Sequence, residues 1–195
     1  MSRKLIGLAG MATIVLGGLL GRAGLARAGE DAGVKDGVSA KAAFARLKTL
    51  AGTWKSHETA QKKEHADAHP AESTVTYRLT GAGSALIETL LPGTDHEMVS
   101  VYHLDGDDLR MTHYCAVGNQ PRVKLDRAHS RPDHLIFVFD GGTNLNPKKD
   151  MHIHGLKVTF HPDGRVTSAW EGYMGGKSAG ITSFVMTRQE ESRHE

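Results

Sequence analysis

Leu50-Ala51-Gly52-Thr53-Trp54-Lys55 is where the chain changes period, and the change decides the fold. Before it, Ser39 is placed to cap a helix, and Ala43, Phe44, Leu47 and Leu50 recur at helical spacing until Gly52 stops the run. After it, nearly every segment has strand character and is bounded by glycine, proline or aspartate. The candidate strands are 53–60, 73–80, 85–91, 97–104, 108–115, 122–128, 134–140, 151–160, 165–173 and 179–188. Together they predict a mainly β chain: an antiparallel up-and-down β-barrel of about ten strands, with a short N-terminal helix covering one end.

The turns suit tight hairpins. Gly81-Ala82-Gly83-Ser84, Asp105-Gly106-Asp107-Asp108, Pro162-Asp163-Gly164 and Gly175-Gly176 supply the positive φ angles such turns need. The Pro162-Asp163-Gly164 loop pairs Phe160 with Val166, Val158 with Ser168, Leu156 with Trp170 and His154 with Gly172. Apolar side chains then share one face, while Lys157, Thr159, Arg165 and Thr167 take the other. One dry face and one wet face is the pattern of a barrel wall.

The N-terminus reads as a signal peptide over residues 1–28. Arg3 and Lys4 form a basic start, Leu5 to Leu20 is uncharged and apolar, and Ala26-Arg27-Ala28 is a small-residue cleavage signal. The competing reading is a membrane anchor, for which this run is short. Residues 29–38 read as a flexible lead-in, 39–188 as the barrel domain and 189–195 as a charged tail. Export to the periplasm or the medium follows, with no integral membrane segment left after cleavage.

Removing the leader takes four basic residues and no acidic ones, leaving 20 basic against 22 acidic. A nearly neutral chain without a clustered basic face does not point to nucleic acid. Cys115 is the sole cysteine, so there is no internal disulfide.

Gly52-Thr53-Trp54 after a short helix, followed by a ten-strand meander, resembles the calycins: lipocalins, fatty-acid-binding proteins and the nitrobindin-like barrels. The resemblance implies that Trp54 closes the barrel floor under a basic residue of the last strand. Arg188, ending Phe184-Val185-Met186-Thr187-Arg188, is the residue placed to stack on it. Gly52, Trp54 and Arg188 are thus structural expectations. The stretch from His96 to Arg122 is also similar to a group of bacterial secreted proteins of unassigned function.

The candidate site comes from the central strands. The hairpin at Gly106-Asp107 sets Leu104 against Leu109, Tyr102 against Met111 and Ser100 against His113. Met98 and Cys115 extend that face. If Leu91 pairs with Glu97, Glu88 falls opposite Ser100, and Glu88, Ser100 and His113 form one row. A one-residue slip would turn all of them outward.

Several readings of the row compete. Glu88 and His113 could act as general acid and base, or could simply satisfy a polar network that orients Tyr102. Cys115 could pair with His113 as a thiolate, or be a small buried hydrophobe. The pair His152-Ile153-His154 is half of a metal site, to which His113, Glu88 or Glu171 could add a ligand; the alternative is two rim histidines bonded to backbone or water. Nitrobindin-like barrels hold haem through one histidine, and His113, His152 or His154 could serve here, but no ligand of that family is carried over and no cofactor is assumed. Asn119, Gln120 and Arg122 could hold a carboxylate or phosphate at the barrel mouth, or bond only their own loop.

Two functions stay open: an exported binding protein for a small hydrophobic or amphipathic molecule, with its polar head near Arg122, His113 or Tyr102, and a small barrel enzyme using Glu88 and His113. A filled structural or partner-binding barrel is the third class.

Overall fold

The structure, a computed structural model, describes residues 37–59 and 72–190. The expected signal peptide, most of the lead-in and the end of the charged tail lie outside the described residues. α1 (Ala40–Lys48) is capped by Ser39, whose hydroxyl accepts the Ala42 N–H at 3.2 Å. Its buried face is Ala40, Ala43, Phe44 and Leu47. Val38, at the end of the expected lead-in, is also buried, and its N–H bonds the Arg127 carbonyl.

Ten strands follow: β1 (Gly52–Thr59), β2 (Glu72–Thr80), β3 (Ala85–Leu90), β4 (Met98–Asp105), β5 (Asp108–Tyr114), β6 (Gln120–Leu125), β7 (His134–Thr143), β8 (His152–Phe160), β9 (Val166–Met174) and β10 (Lys177–Arg188). Each pairs antiparallel with its sequence neighbours, and β1 pairs with both β2 and β10, so the sheet closes into a barrel without a free edge. The expected ten-stranded up-and-down barrel with one short helix is the observed architecture. No helix among the described residues is long and apolar enough to cross a membrane.

α1 covers the end where the β4–β5, β6–β7 and β8–β9 turns lie. Arg46 stacks its guanidinium 4.2 Å above the Phe160 ring, and Leu86, Leu109, Leu135 and Leu156 fill the core. The floor is pinned at β1. The Trp54 indole N–H donates to the Leu50 carbonyl at 2.7 Å, and Arg188 lies 4.5 Å over the Trp54 ring. Arg188 also donates to the carbonyls of Ala51 and Thr49, at 2.7 and 2.6 Å.

Three departures from the expected strands matter. β6 starts at Gln120 and ends at Leu125, not at residue 128, because Asp126 opens a turn in which its carbonyl and carboxylate take the N–H groups of Ser130 and His129. A bulge between Pro121 and Val123 distorts the β6–β7 pairing. A second bulge, between Ile153 and Gly155, changes the β8–β9 register beyond Leu156.

Candidate functional site

The meander sets one residue from each of four consecutive strands in a single row: Tyr77 opposite Glu88, Glu88 opposite Ser100, and Ser100 opposite His113. The hairpin pairings read from the sequence, Leu104 with Leu109 and Tyr102 with Met111, are those observed. Apart from Leu104 at the exposed turn, these side chains face the core. Glu88 is 1 % exposed, Ser100 0 % and His113 2 %.

Each Glu88 oxygen accepts one phenol: Tyr77 Oη donates to Oε1 and Tyr102 Oη to Oε2, both at 2.7 Å. Ser100, opposite Glu88 in the row, also favours the ionised form of this carboxyl group. Burial outweighs these bonds and raises the Glu88 pKa. Burial and the neighbouring carboxylate hold both tyrosines well above the usual phenol range. They therefore donate and do not ionise.

Ser100 Oγ also lies 3.0 Å from His113 Nδ1. A hydroxyl has one proton, so this bond sets the tautomer of the ring. Where Ser100 accepts, Nδ1 keeps its hydrogen and Nε2 presents a lone pair. Where Ser100 donates, Nε2 carries the hydrogen. Burial pulls the His113 pKa down to about 4, so the imidazole is neutral at neutral pH. No group among the described residues bonds its Nε2, and the Trp170 ring stands 5.3 Å away. The row can thus hold an oriented neutral imidazole that accepts or donates one hydrogen bond.

On the same inward parity, Leu90 and Met98 sit two residues nearer the end opposite α1. Leu90, Ile153 and Phe184 are partly buried against the core, and Met98 and Cys115 are half-buried. Ser56, also inward-facing, has a buried hydroxyl with no hydrogen-bond partner among the described residues. Two pockets of about 380 and 390 Å³ lie elsewhere, one beside α1 at Val38 and Arg46, the other on the outer wall over Gly155 between Val138, Lys157 and Ile181.

Other expected site residues are used differently. Tyr102 is committed to Glu88. Asn119 is buried, and its amide ties the β5–β6 loop to the Met151 carbonyl at 2.7 Å. Arg122 pairs with Thr112, is exposed, and brings its guanidinium beside Gly141. Cys115 bonds Asn119 through its backbone N–H and sits at the rim.

His152 and His154 leave the row of Leu156, Val158 and Phe160. The bulge pairs Gly155 with Glu171, Ile153 with Gly172 and His152 with Tyr173, so the expected His154–Gly172 pair is absent and Ile153 takes the inward place. His152 Nδ1 donates to the Asp150 carbonyl at 2.8 Å. Its Nε2 then accepts from His154 Nδ1 at 3.0 Å in the neutral pair. His154 is stacked between Tyr173 and Phe139, with ring centroids at 3.7 and 4.5 Å.

Among the described residues, no three His, Cys, Asp or Glu side chains are arranged to hold a metal ion. The surroundings of the histidines do not fit a haem. His113 is enclosed with Ser100 and Met111, both fully buried, and both faces of His154 are covered by rings. A macrocycle would have to displace those groups.

Tyr77 was not among the expected site residues, although the signal was present. Counting back from the Gly81–Gly83 turn, with Thr80 against Ala85, brings Tyr77 to Glu88. Compared with known proteins, no protein-family model matches this chain, and no curated protein matches it.

Proposed function

We propose that this chain is an exported, calycin-like barrel that binds a small, mainly apolar molecule at the end opposite α1. One observation carries the reading: His113, neutral, held at Nδ1 and unbonded at Nε2 among the described residues, lies in the barrel wall below the partly exposed Leu90, Met98, Ile153 and Phe184. Mainly apolar walls with the oriented His113 imidazole and the inward Ser56 hydroxyl suit an amphipathic ligand with a small polar head. The lower half of the barrel is filled by Tyr102, Met111 and the leucine layer, so the ligand is small or enters only part of the way. The Trp54–Arg188 floor supports the calycin-like assignment, and the basic start, apolar run and small-residue signal of residues 1–28 support export.

The row of Glu88, Ser100 and His113 also favours a second reading, general acid–base catalysis on a bound molecule, because it sets a carboxyl group of raised pKa and a neutral imidazole on either side of Ser100. Native and denaturing mass spectra of the chain purified from its own source separate the cases. A mass lost on denaturation supports the binder, and His113→Gln should then weaken retention by about tenfold at most, the worth of one hydrogen bond. Turnover of the released molecule by the parent chain, abolished in a normally folded His113→Gln variant, would favour the enzyme. A folded chain with no bound mass and no uptake of fatty acids or other amphiphiles overturns both.

A further inference from the structure

No lysine or arginine among the described residues is buried. The half-buried ones lie away from the end opposite α1: Arg46 and Lys48 on the helix, Arg127 in the β6–β7 turn at the helix-covered end, and Arg110 and Lys124 against Asp140 on the outer face. Along the inward parity of β1 and β3 stand two acids instead. Glu88 is enclosed in the row, and Glu58 follows Ser56 by two residues towards the open end, half-buried and opposite Phe184.

Two uncharged polar groups remain, one at each end of the row. Ser56 faces Met186 across the β1–β10 pair, and Met186 Sδ lies 3.9 Å from Tyr77 Oη, so the unbonded Ser56 hydroxyl stands at the Tyr77 end. His113 closes the other end beside Trp170, with its Nε2 bonded to no group among the described residues.

These surroundings discriminate between head groups by charge. A carboxylate brought to them loses its water, meets no cation and stands beside Glu88. An ammonium loses its water as well, and each oxygen of the Glu88 carboxyl group already accepts a tyrosine hydroxyl. A hydroxyl or carbonyl head needs one hydrogen bond, which Ser56 or His113 offers.

We infer that the ligand head is uncharged, so that the barrel takes neutral apolar alcohols or carbonyl compounds and excludes the corresponding carboxylates and amines. This rests on the binding reading above and narrows it to one chemical class.

The test is titration of the full chain at neutral pH with 1-octanol, 2-octanone, octanoate and octylamine, which differ in the head. The fluorescence of Trp170, whose ring centroid is 5.3 Å from that of His113, reports saturable binding, and native mass spectra count the bound molecules. The alcohol and the ketone should bind about tenfold tighter or more than either charged compound. At about pH 5 octanoate should gain about tenfold on octanol, because its carboxyl group takes up a proton there, while His113, with a pKa of about 4, stays mostly neutral. Ser56→Ala or His113→Gln should weaken octanol by about threefold to tenfold, the worth of one hydrogen bond. Melting curves check folding, and Ser56→Ala should not lower the melting temperature of the empty chain, since its hydroxyl bonds no described group. Octanoate or octylamine binding as tightly as octanol at neutral pH overturns this inference and leaves the binding reading standing. Octanol binding unchanged by both variants would place the head elsewhere and overturn it too. Saturable binding of none of the four removes the binding reading, and this inference with it.

Discussion

Gly52 leaves open the space that Arg188 fills: a Cβ at residue 52 would stand 2.6 Å from Arg188 Nη1. The guanidinium there caps two carbonyls at the end of the helical segment and covers Trp54, so one arginine joins the last strand to the first. Arg188→Ala should cost about 2 kcal/mol. Arg188→Lys should recover only part of this, because an ammonium cannot reproduce the planar fork. Gly52→Ala should cost a similar amount, through displacement of the guanidinium and through its φ of +130°. Because both variants disturb the same contact, the double variant should cost less than the two together. Additive losses in urea denaturation would show that the contact is not shared.

Among the described residues the Glu88 carboxyl group has no cationic partner and depends on hydroxyl donors. Tyr77→Phe and Tyr102→Phe should each cost about 1–3 kcal/mol, the desolvation of a buried oxygen left without its donor. The raised Glu88 pKa means that the folded state holds its proton to higher pH than the unfolded chain. Stability from this group is full below the unfolded value and falls as pH rises through the folded one. Glu88→Gln should therefore flatten the decline of unfolding free energy on the alkaline side of pH 4.5. An unchanged slope would mean that Glu88 does not titrate differently in the two states.

His113 acts with the opposite sign. Its pKa falls from 6.5 unfolded to about 4 folded, so the unfolded chain binds the extra proton between those values. Stability from this group is present above 6.5 and is lost as pH falls towards 4, by about 3 kcal/mol in full. His113→Gln should remove this acid limb while leaving the Glu88 slope. Denaturant titrations of parent and variant at pH 7 and pH 4.5 measure it directly; parallel losses in both proteins would assign the limb to other groups.

Two short hairpin turns fix part of the row by counting, Thr80 against Ala85 and Leu104 against Leu109, while Glu88 against Ser100 is read across the seven-residue connection at Pro92, conditional on Leu91 meeting Glu97. The floor was legible from Gly52, Trp54 and the position of Arg188 at the end of the last strand. What alternation cannot show is an inserted residue. At His154 a bulge breaks the period-2 count of β8, and an extra residue near Gly141 does the same in β7, while β6 keeps its alternation through Arg122. Tyr77 is the reverse case: its register was countable, but a tyrosine in a strand reads first as core, and its role appears only once the carboxylate beside it is known to be buried.

At the β6–β7 bulge, glycine is required by close approach. Gly142 pairs with Pro121, and a Cβ there would stand 2.8 Å from Leu145 Cδ2, 2.9 Å from the Gln120 carbonyl oxygen and 3.0 Å from Pro121 Cα. Two of those three contacts are backbone and cannot rotate away. Gly142→Ala should therefore cost about 2 kcal/mol and open the β6–β7 pairing near Gln120, seen as faster amide exchange at Thr143. Trimming Leu145 to Ala should not restore it, because the backbone contacts remain. At Gly52, by contrast, the obstacle is a side-chain end, and removing it relieves that part of the strain. Rescue of Gly142→Ala by Leu145→Ala would show that side-chain crowding, and not close backbone approach, requires glycine at this position.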